Sequence, residues 1–234
     1  MNIRGLQKTS LLDFPGGICA TLFVGGCNLR CRYCHNKDLV LNHTALPYYP
    51  PHEIITFLQK RSSLLDGVCI SGGEPTLRGV ETMLPFLTAV KNVGLKVKLD
   101  TNGTRPAVVG KLIQAGVLDY IAVDIKGPWE KYPLITGVDI DPGTVKETVA
   151  LLKGCASRQE FRTTVVPGLL TAADLLWIAK EIEGCPKYVL QQYRPPAAPI
   201  DPAFSAGQPF SHEKIRQVAE TCRQYVHVLE LRGF

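Results

Sequence analysis

Three cysteines stand close together in a loop that begins with two glycines: Cys27, Cys31 and Cys34, with the spacing C-x3-C-x2-C. An apolar run at 18–24 precedes the loop and predicts a buried strand that ends there. Closely spaced thiolates can hold the irons of a cubane cluster, and a complete protein cage needs four cysteines. Because no fourth cysteine follows at a short spacing, the pattern predicts a [4Fe–4S] cluster with one iron open to a ligand.

A structural zinc site is the alternative interpretation of this loop. Three cysteines together with His35 would make a Cys3His ligand set. Structural zinc ligands usually fall in two separated pairs, whereas His35 directly adjoins Cys34. The spacing therefore favours the iron–sulfur cluster.

The cysteine loop resembles the cluster motif of the radical S-adenosylmethionine superfamily, C-x3-C-x-aromatic-C, with Tyr33 as the aromatic residue. The resemblance implies that the open iron binds the amino and carboxylate groups of S-adenosylmethionine. It also implies that one electron from the cluster cleaves the sulfonium and releases a 5′-deoxyadenosyl radical. Cys27, Cys31 and Cys34 are thus expected to be both metal ligands and catalytic residues.

The composition limits the classes of protein to which the chain can belong. The chain has 234 residues, 26 basic and 21 acidic, and a net charge of +5, without a lysine- or arginine-rich run. We therefore expect no nucleic-acid binding. The N-terminus lacks the apolar core of a signal peptide, and no stretch approaches the roughly 20 apolar residues of a membrane span. A cytoplasmic protein without membrane contact is expected, and its eight cysteines favour metal binding over disulfides.

Strand-like and helix-like segments alternate along the chain, which predicts βαβ units and a parallel sheet. The predicted strands lie at 18–24, 67–71, 95–100, 120–125, 160–166 and 188–192. Six units are too few for an eight-fold barrel, so the expected fold is a single-domain α/β partial (β/α)6 TIM-like barrel. The resemblance implies the same fold, and a doubly wound open sheet is the alternative. The predicted domain covers 1–234, with a core of about 16–195 and a C-terminal helix and short strand within 211–232.

Polar residues follow the predicted strands at the same place in each unit. Gly72, Gly73 and Glu74 follow the second strand, Asp100 and Asn102 end the third, and Asp124 and Lys126 end the fourth. In parallel α/β folds, ligands bind at the carboxyl edge of the sheet. These residues are therefore expected to form one site with the cysteines.

The resemblance also suggests a role for each of these clusters. It implies that Gly72-Gly73-Glu74 contacts the methionyl ammonium group and that Asn102 contacts the ribose or the carboxylate. Asp124 and Lys126 are similar to the Asp-x-Lys pair of glycyl-radical activating enzymes, although a buried structural ion pair is a competing interpretation. The residues expected to bind the cofactor are Tyr33, Gly72, Gly73, Glu74, Asp100, Asn102, Asp124 and Lys126.

Over residues 5–195 the order of motifs resembles the activating proteins of anaerobic ribonucleoside-triphosphate reductases, close to the pyruvate formate-lyase activating enzymes. The motifs include Leu11–Gly16 and 191–195 besides those above. The resemblance implies that the radical removes a hydrogen from a glycine Cα of anaerobic ribonucleotide reductase. It also implies a low-potential electron donor such as flavodoxin or ferredoxin.

Three other functions remain open on the sequence. One is the activation of another glycyl-radical enzyme, such as a pyruvate formate-lyase-like partner, and another is radical chemistry on a small molecule. The third is a non-catalytic iron–sulfur electron carrier, which would not need an open iron. No cysteine lies between 36 and 67, which disfavours activases with a ferredoxin-like insert there. The pattern gives no role to Cys69, Cys155, Cys185 or Cys222.

Overall fold

A computed structural model describes residues 1–155 and 158–234. Its centre is an eight-stranded sheet in which the strands follow one another in chain order. The first strand pairs antiparallel to the second, and all later neighbours are parallel. The strands are β1 (Ile3–Ser10), β2 (Cys19–Val24), β3 (Gly67–Gly72), β4 (Lys96–Thr101), β5 (Tyr120–Asp124), β6 (Arg158–Val165), β7 (Lys187–Gln192) and β8 (Val228–Arg232).

Helices connect most of the parallel strands, as βα crossovers require. Among the described residues they are α1 (Lys37–Leu41), α2 (Pro51–Arg61), α3 (Val80–Asn92), α4 (Pro106–Gln114), α5 (Tyr132–Thr136), α6 (Gly143–Lys153), α7 (Ala172–Glu181) and α8 (His212–Arg223). None of these helices is long and apolar enough to cross a membrane.

The predicted α/β class with a parallel sheet is confirmed, and all six predicted parallel strands are present as β2–β7. The short strand predicted near the C-terminal end of 211–232 is present as β8. The sequence did not predict β1. This edge strand is half exposed and carries little apolar signal.

Side chains alternate between the two faces of the sheet, as strand geometry dictates. Leu22, Ile70, Leu99 and Ile121 are fully buried and belong to the main apolar core. The residues of opposite parity face the inner side of the sheet, where several are charged. Because this inner face is polar, a polar site can form at the carboxyl ends of the strands.

Candidate functional site

A cavity of about 250 Å³ opens at the carboxyl ends of β2–β6. The three cysteines and all eight residues expected to bind the cofactor line this cavity. They come from four separate parts of the chain, which the parallel sheet brings together. The expected convergence is therefore present, while each residue's contact with a ligand stays a prediction.

The cysteine loop is held by main-chain hydrogen bonds to three other segments. Gly26 donates its N–H to Leu39 O at 2.7 Å, and its carbonyl accepts from Glu74 N at 2.8 Å. Arg30 N donates to Thr136 O at 2.7 Å. These bonds fix the start of the loop against β3 and its middle against α5. The loop is therefore ordered by the fold.

Two of the thiol sulfurs accept hydrogen bonds from the main chain. Leu29 N donates to Cys27 Sγ and Asn36 N donates to Cys34 Sγ, each at 3.4 Å. Hydrogen bonds of this kind to cysteine sulfurs tune iron–sulfur clusters. Three thiols around a cavity larger than a single ion, two of them with main-chain N–H donors, fit the cluster that the sequence predicts.

The three sulfurs do not converge on one point. Within 1–155 and 158–234, no group of three or more His, Cys, Asp or Glu side chains is arranged to hold a single metal ion. A cubane places each of its cysteine ligands on a different iron. Spread thiols around a shared cavity are compatible with that geometry.

Burial favours the protonated thiols of Cys27 and Cys31 in the absence of metal. It raises the pKa of Cys27 to about 11 and that of Cys31 to about 12, and nearby Lys126 opposes the shift. A metal centre needs thiolates, so its assembly must displace these protons.

Gly72 and Gly73 pack against the end of β2 and the cysteine loop. A Cβ at position 73 would overlap the carbonyl oxygen of Gly26, and one at position 72 would overlap the main chain of Val24. Gly72 also has φ +116°, a conformation that side chains rarely adopt. The resemblance implies that these glycines take part in contacting the methionyl ammonium group. Their closest contacts are with the protein main chain, although both residues also line the cavity.

Glu74 is 1% exposed, and its carboxylate is fully used inside the protein. Oε1 accepts from Thr76 N at 3.0 Å, Thr76 Oγ1 at 2.5 Å and Thr101 Oγ1 at 2.8 Å. Oε2 accepts from Asn102 N at 2.6 Å. Desolvation raises the pKa of Glu74, and these hydrogen bonds oppose the rise. Glu74 therefore ties the loop after β3 to the loop after β4, and a ligand ammonium would have to share its oxygens.

Asn102 connects the end of β4 to the cysteine loop. Its Nδ2 donates to Asn28 Oδ1 at 3.0 Å and lies 3.9 Å from Cys27 Sγ. Its Oδ1 accepts from Thr104 N at 3.0 Å. This amide is held in place before any ligand binds.

The charged residues of the site form a network that crosses three strands. Asp124 accepts from Lys126 Nζ at 2.9 Å and from Arg162 Nε at 2.9 Å. Arg162 also lies 3.2 Å from Asp100, which forms a second ion pair with Lys98. Desolvation favours protonated carboxyls, but Arg162 and the lysines outweigh it and hold the pKa values of Asp100 and Asp124 below their usual range.

Arg162 is a charged site residue that the sequence did not reveal. It is 11% exposed, lies in β6 and lines the cavity. Its neighbours Glu160 and Thr164 are polar at the same parity, and this inward alternation was the available signal. His35, Asn36 and Ser71 also line the cavity without having been predicted.

The remaining cysteines lie outside the cavity wall. Cys19, Cys69, Cys185 and Cys222 are buried, and Cys69 accepts a long hydrogen bond from Lys98 at 3.8 Å. Cys155 is partly exposed.

Comparison with known proteins identifies relatives of this arrangement. The model of the Radical SAM superfamily matches residues 21–175. A Methanocaldococcus jannaschii protein, provisionally named a glycyl-radical enzyme activating enzyme, is 31% identical over 98% of this chain and 95% of its own. The pyruvate formate-lyase 1-activating enzyme of Escherichia coli K12 is 31% identical over 53% of this chain, which is about half (51%) of its own length.

Solved structures share the fold. The S-adenosylmethionine complex of Streptococcus suis SuiB aligns with a TM-score of 0.68 and 14% identity, covering 89% of this chain and 48% of SuiB. A domain of the pyruvate-formate lyase-activating enzyme from Bacteroides vulgatus aligns with a TM-score of 0.56 and 16% identity. It covers 71% of this chain and 99% of that domain. At such low identity these likenesses concern the fold alone, a partial TIM barrel.

Proposed function

Because this chain belongs to the radical SAM superfamily, we propose that it cleaves S-adenosylmethionine reductively and activates a glycyl-radical enzyme. The observation that carries the proposal is the convergence of all eleven predicted residues on one cavity. When bound, a [4Fe–4S] cluster supplies the electron that splits S-adenosylmethionine into methionine and a 5′-deoxyadenosyl radical, which takes a hydrogen atom from a glycine Cα.

The residues of the cavity have distinct roles in this proposal. Cys27, Cys31 and Cys34 hold the cluster, and Asn102 contacts the ribose or the carboxylate of S-adenosylmethionine. Lys126 presents an ammonium that is already oriented by Asp124 and that complements an anionic group. The other expected contacts are Tyr33, Gly72, Gly73, Glu74 and Asp100.

The partner that we propose is anaerobic ribonucleoside-triphosphate reductase, with flavodoxin or ferredoxin as the electron donor. The whole-chain relative from M. jannaschii supports a glycyl-radical enzyme as the partner class. The E. coli relative supports a pyruvate formate-lyase-like partner as the second candidate. Both candidates use the same chemistry, so the partner has to be tested directly.

The test is anaerobic reconstitution with iron and sulfide, followed by dithionite and S-adenosylmethionine. We expect 5′-deoxyadenosine, and a glycyl doublet in electron paramagnetic resonance when the reductase from the same genome is added. Alanine at Cys27, Cys31 or Cys34 should abolish both signals. Cys222→Ala, a buried cysteine outside the cavity, should retain them.

Each contrary outcome removes a different part of the proposal. Deoxyadenosine without the doublet would leave the radical chemistry and exclude this partner, and pyruvate formate-lyase would be tried next. A loaded cluster that yields no deoxyadenosine would favour the electron carrier. Zinc without iron and sulfide would refute the cluster.

A further inference from the structure

One side of the cysteine loop is covered by another part of the chain. The segment 193–207 follows β7 and lies against the loop. Asp201 forms an ion pair with Arg32 at 2.7 Å, and Asp201 N donates to Arg32 O at 3.3 Å. The ring of Tyr193 packs edge-on against that of Tyr33, with 6.1 Å between their centroids. This side of the loop is therefore covered, and the charge of its arginine is already balanced by a carboxylate.

The other side of the loop, where the chain enters it, is surrounded by basic side chains. A Cβ at Gly25 would meet Arg4 Cγ and His43 Cβ, each at 2.7 Å. A Cβ at Gly26 would lie 3.4 Å from a terminal nitrogen of Arg78 and 3.6 Å from His43 Nε2. These three side chains therefore lie directly against the two glycines that begin the loop.

The two arginines on this side have no carboxylate partner among the described residues. Arg4 donates to Asn2 Oδ1 at 2.8 Å and to the carbonyl of Leu46 at 3.1 Å, and both acceptors are uncharged. Arg78 forms neither an ion pair nor a hydrogen bond with a described residue, and although its Nε is buried, its terminal nitrogens remain accessible to solvent. Uncompensated positive charge at an accessible surface attracts an anionic partner.

Exposed apolar side chains border these basic residues. Leu41 ends α1 two residues before His43 and is 48% exposed. Tyr48 is 52% exposed, and the guanidinium of Arg4 lies over its ring, 5.2 Å from the centroid. Tyrosine and arginine are enriched where proteins bind one another. We call this surface the basic face; it consists of Arg4, Leu41, His43, Tyr48 and Arg78.

The basic face lies next to the first predicted ligand of the cluster. Gly26 is bonded directly to Cys27, and neither Gly25 nor Gly26 contributes a side chain that would thicken the wall between them. Electron transfer through protein weakens steeply with distance, so an electron carrier has to dock close to a cluster ligand. The two glycines leave only main chain between the basic face and Cys27.

We propose that the basic face docks the protein that supplies the electron, and that this protein is a flavodoxin. Arginines beside exposed apolar side chains match a partner that presents the dimethylbenzene edge of a flavin within an acidic surface. The anionic flavin hydroquinone gives up one electron and becomes the neutral semiquinone, the oxidised cluster gains that electron, and no proton moves. This inference rests on the proposed function, because it locates the surface that receives the electron donor.

The test titrates purified flavodoxin into the reconstituted protein under anaerobic conditions and measures the Kd by calorimetry. Arg78→Glu reverses one charge of the basic face without removing a hydrogen bond to a described residue. We expect the Kd to rise about tenfold and to depend less steeply on salt. Arg216→Glu, at an exposed position in α8, makes the same change of charge elsewhere and should alter the Kd less than about twofold.

A second measurement separates docking from chemistry. With reduced flavodoxin below its Kd, Arg78→Glu should form 5′-deoxyadenosine about tenfold more slowly than the wild-type protein, in proportion to the lost affinity. Saturating dithionite is a small reductant that needs no docking face, so it should give equal rates. Tyr48→Glu places a carboxylate beside Arg4 at an exposed position and should also weaken flavodoxin binding. Thermal melting and iron analysis verify the fold and the cluster loading of each variant.

The outcomes separate this inference from the proposed function. Wild-type affinity for flavodoxin in Arg78→Glu, or in Tyr48→Glu should Arg78→Glu not fold, overturns the basic face as the docking surface. A wild-type protein that forms deoxyadenosine with dithionite but binds no flavodoxin also overturns it, and in both cases the proposed chemistry stands. Binding of ferredoxin in place of flavodoxin would refute the choice of carrier. A loaded cluster that yields no deoxyadenosine with either reductant removes the proposed function, and this inference with it.

Discussion

Lys126 belongs both to the ion-pair network and to the wall of the cavity. Its ammonium is 2.9 Å from Asp124, and the side chain is 16% exposed. Burial disfavours the charged form, but Asp124, Tyr33 and Cys31 outweigh it and raise the pKa of Lys126 well above its usual value. The ammonium therefore keeps its charge across the neutral pH range, and Asp124 has a second partner in Arg162 if that charge is lost.

The substitution Lys126→Met should weaken binding of S-adenosylmethionine more than it destabilises the fold. It keeps an unbranched side chain of similar length and removes a charge-assisted hydrogen bond, a loss of about 2 kcal/mol or roughly 30-fold in Kd. Anaerobic calorimetry measures the Kd, and thermal melting measures stability. Lys91→Met, in a partly exposed ion pair with Asp119 that lies away from the cavity, is the control that should leave the Kd unchanged. A lower Tm with an unchanged Kd would instead favour the purely structural ion pair.

The residues that the sequence revealed are those with a local signal. The three cysteines, Cys27, Cys31 and Cys34, lie within eight positions of one another, and Asp124 and Lys126 are two apart. Their spacing in the sequence is therefore enough to indicate that the members of each set lie close together. Arg162 was missed because its partners Asp100 and Asp124 lie on other strands and no nearby motif marks it. The bonds of Glu74 to Thr101 and Asn102 were equally hidden, since these partners lie at the end of a different strand, β4.

At the scale of elements, the end of β3 is joined to the cysteine loop by main-chain contact. Gly73 N donates to Val24 O at 2.8 Å, and Glu74 N donates to Gly26 O at 2.8 Å. The absence of a side chain at position 73 permits this approach. The alternation of strands and helices was predictable because it follows hydrophobic periodicity, but this junction between two loops was not.

The substitution Gly73→Ala should destabilise the protein and impair cluster loading. The added Cβ overlaps a backbone carbonyl, which cannot rotate away, so we expect a loss of about 2 kcal/mol or more. Gly110→Ala in α4 is the control, because its Cβ would meet only Leu151 Cδ1 at 3.7 Å. That helix position should gain about 0.5–1 kcal/mol.

Urea unfolding measures both glycine variants, and iron analysis after reconstitution measures loading. Equal stability of Gly73→Ala and the wild-type protein would contradict the tight junction. Reduced stability with full iron loading would show that the junction supports the fold without positioning the cysteines.

At the scale of the whole molecule, the inner face of the sheet carries charged side chains. The network from Lys98 through Asp100, Arg162 and Asp124 to Lys126 links β4, β5 and β6. A core of branched apolar residues fills ordinary barrels of this kind. Here the interior remains available for polar ligands, and the stability of the fold is coupled to the ionisation of its carboxylates.

Acid should therefore weaken the fold through this network. Asp100 and Asp124 have folded-state pKa values below the unfolded value of about 3.9, so their contribution is complete above that pH. It is lost as the pH falls through the folded-state values, because the unfolded chain then binds protons more readily. The free energy of unfolding of the reduced, metal-free protein should fall steeply only below about pH 4.

In Asp100→Asn that fall should be shallower, since one of the two carboxylates no longer titrates. Urea titrations between neutral and acidic pH measure the slope, and Asp139→Asn at an exposed position serves as the control for a simple change of charge. An identical slope in Asp100→Asn and the wild-type protein would mean that other carboxylates govern acid unfolding.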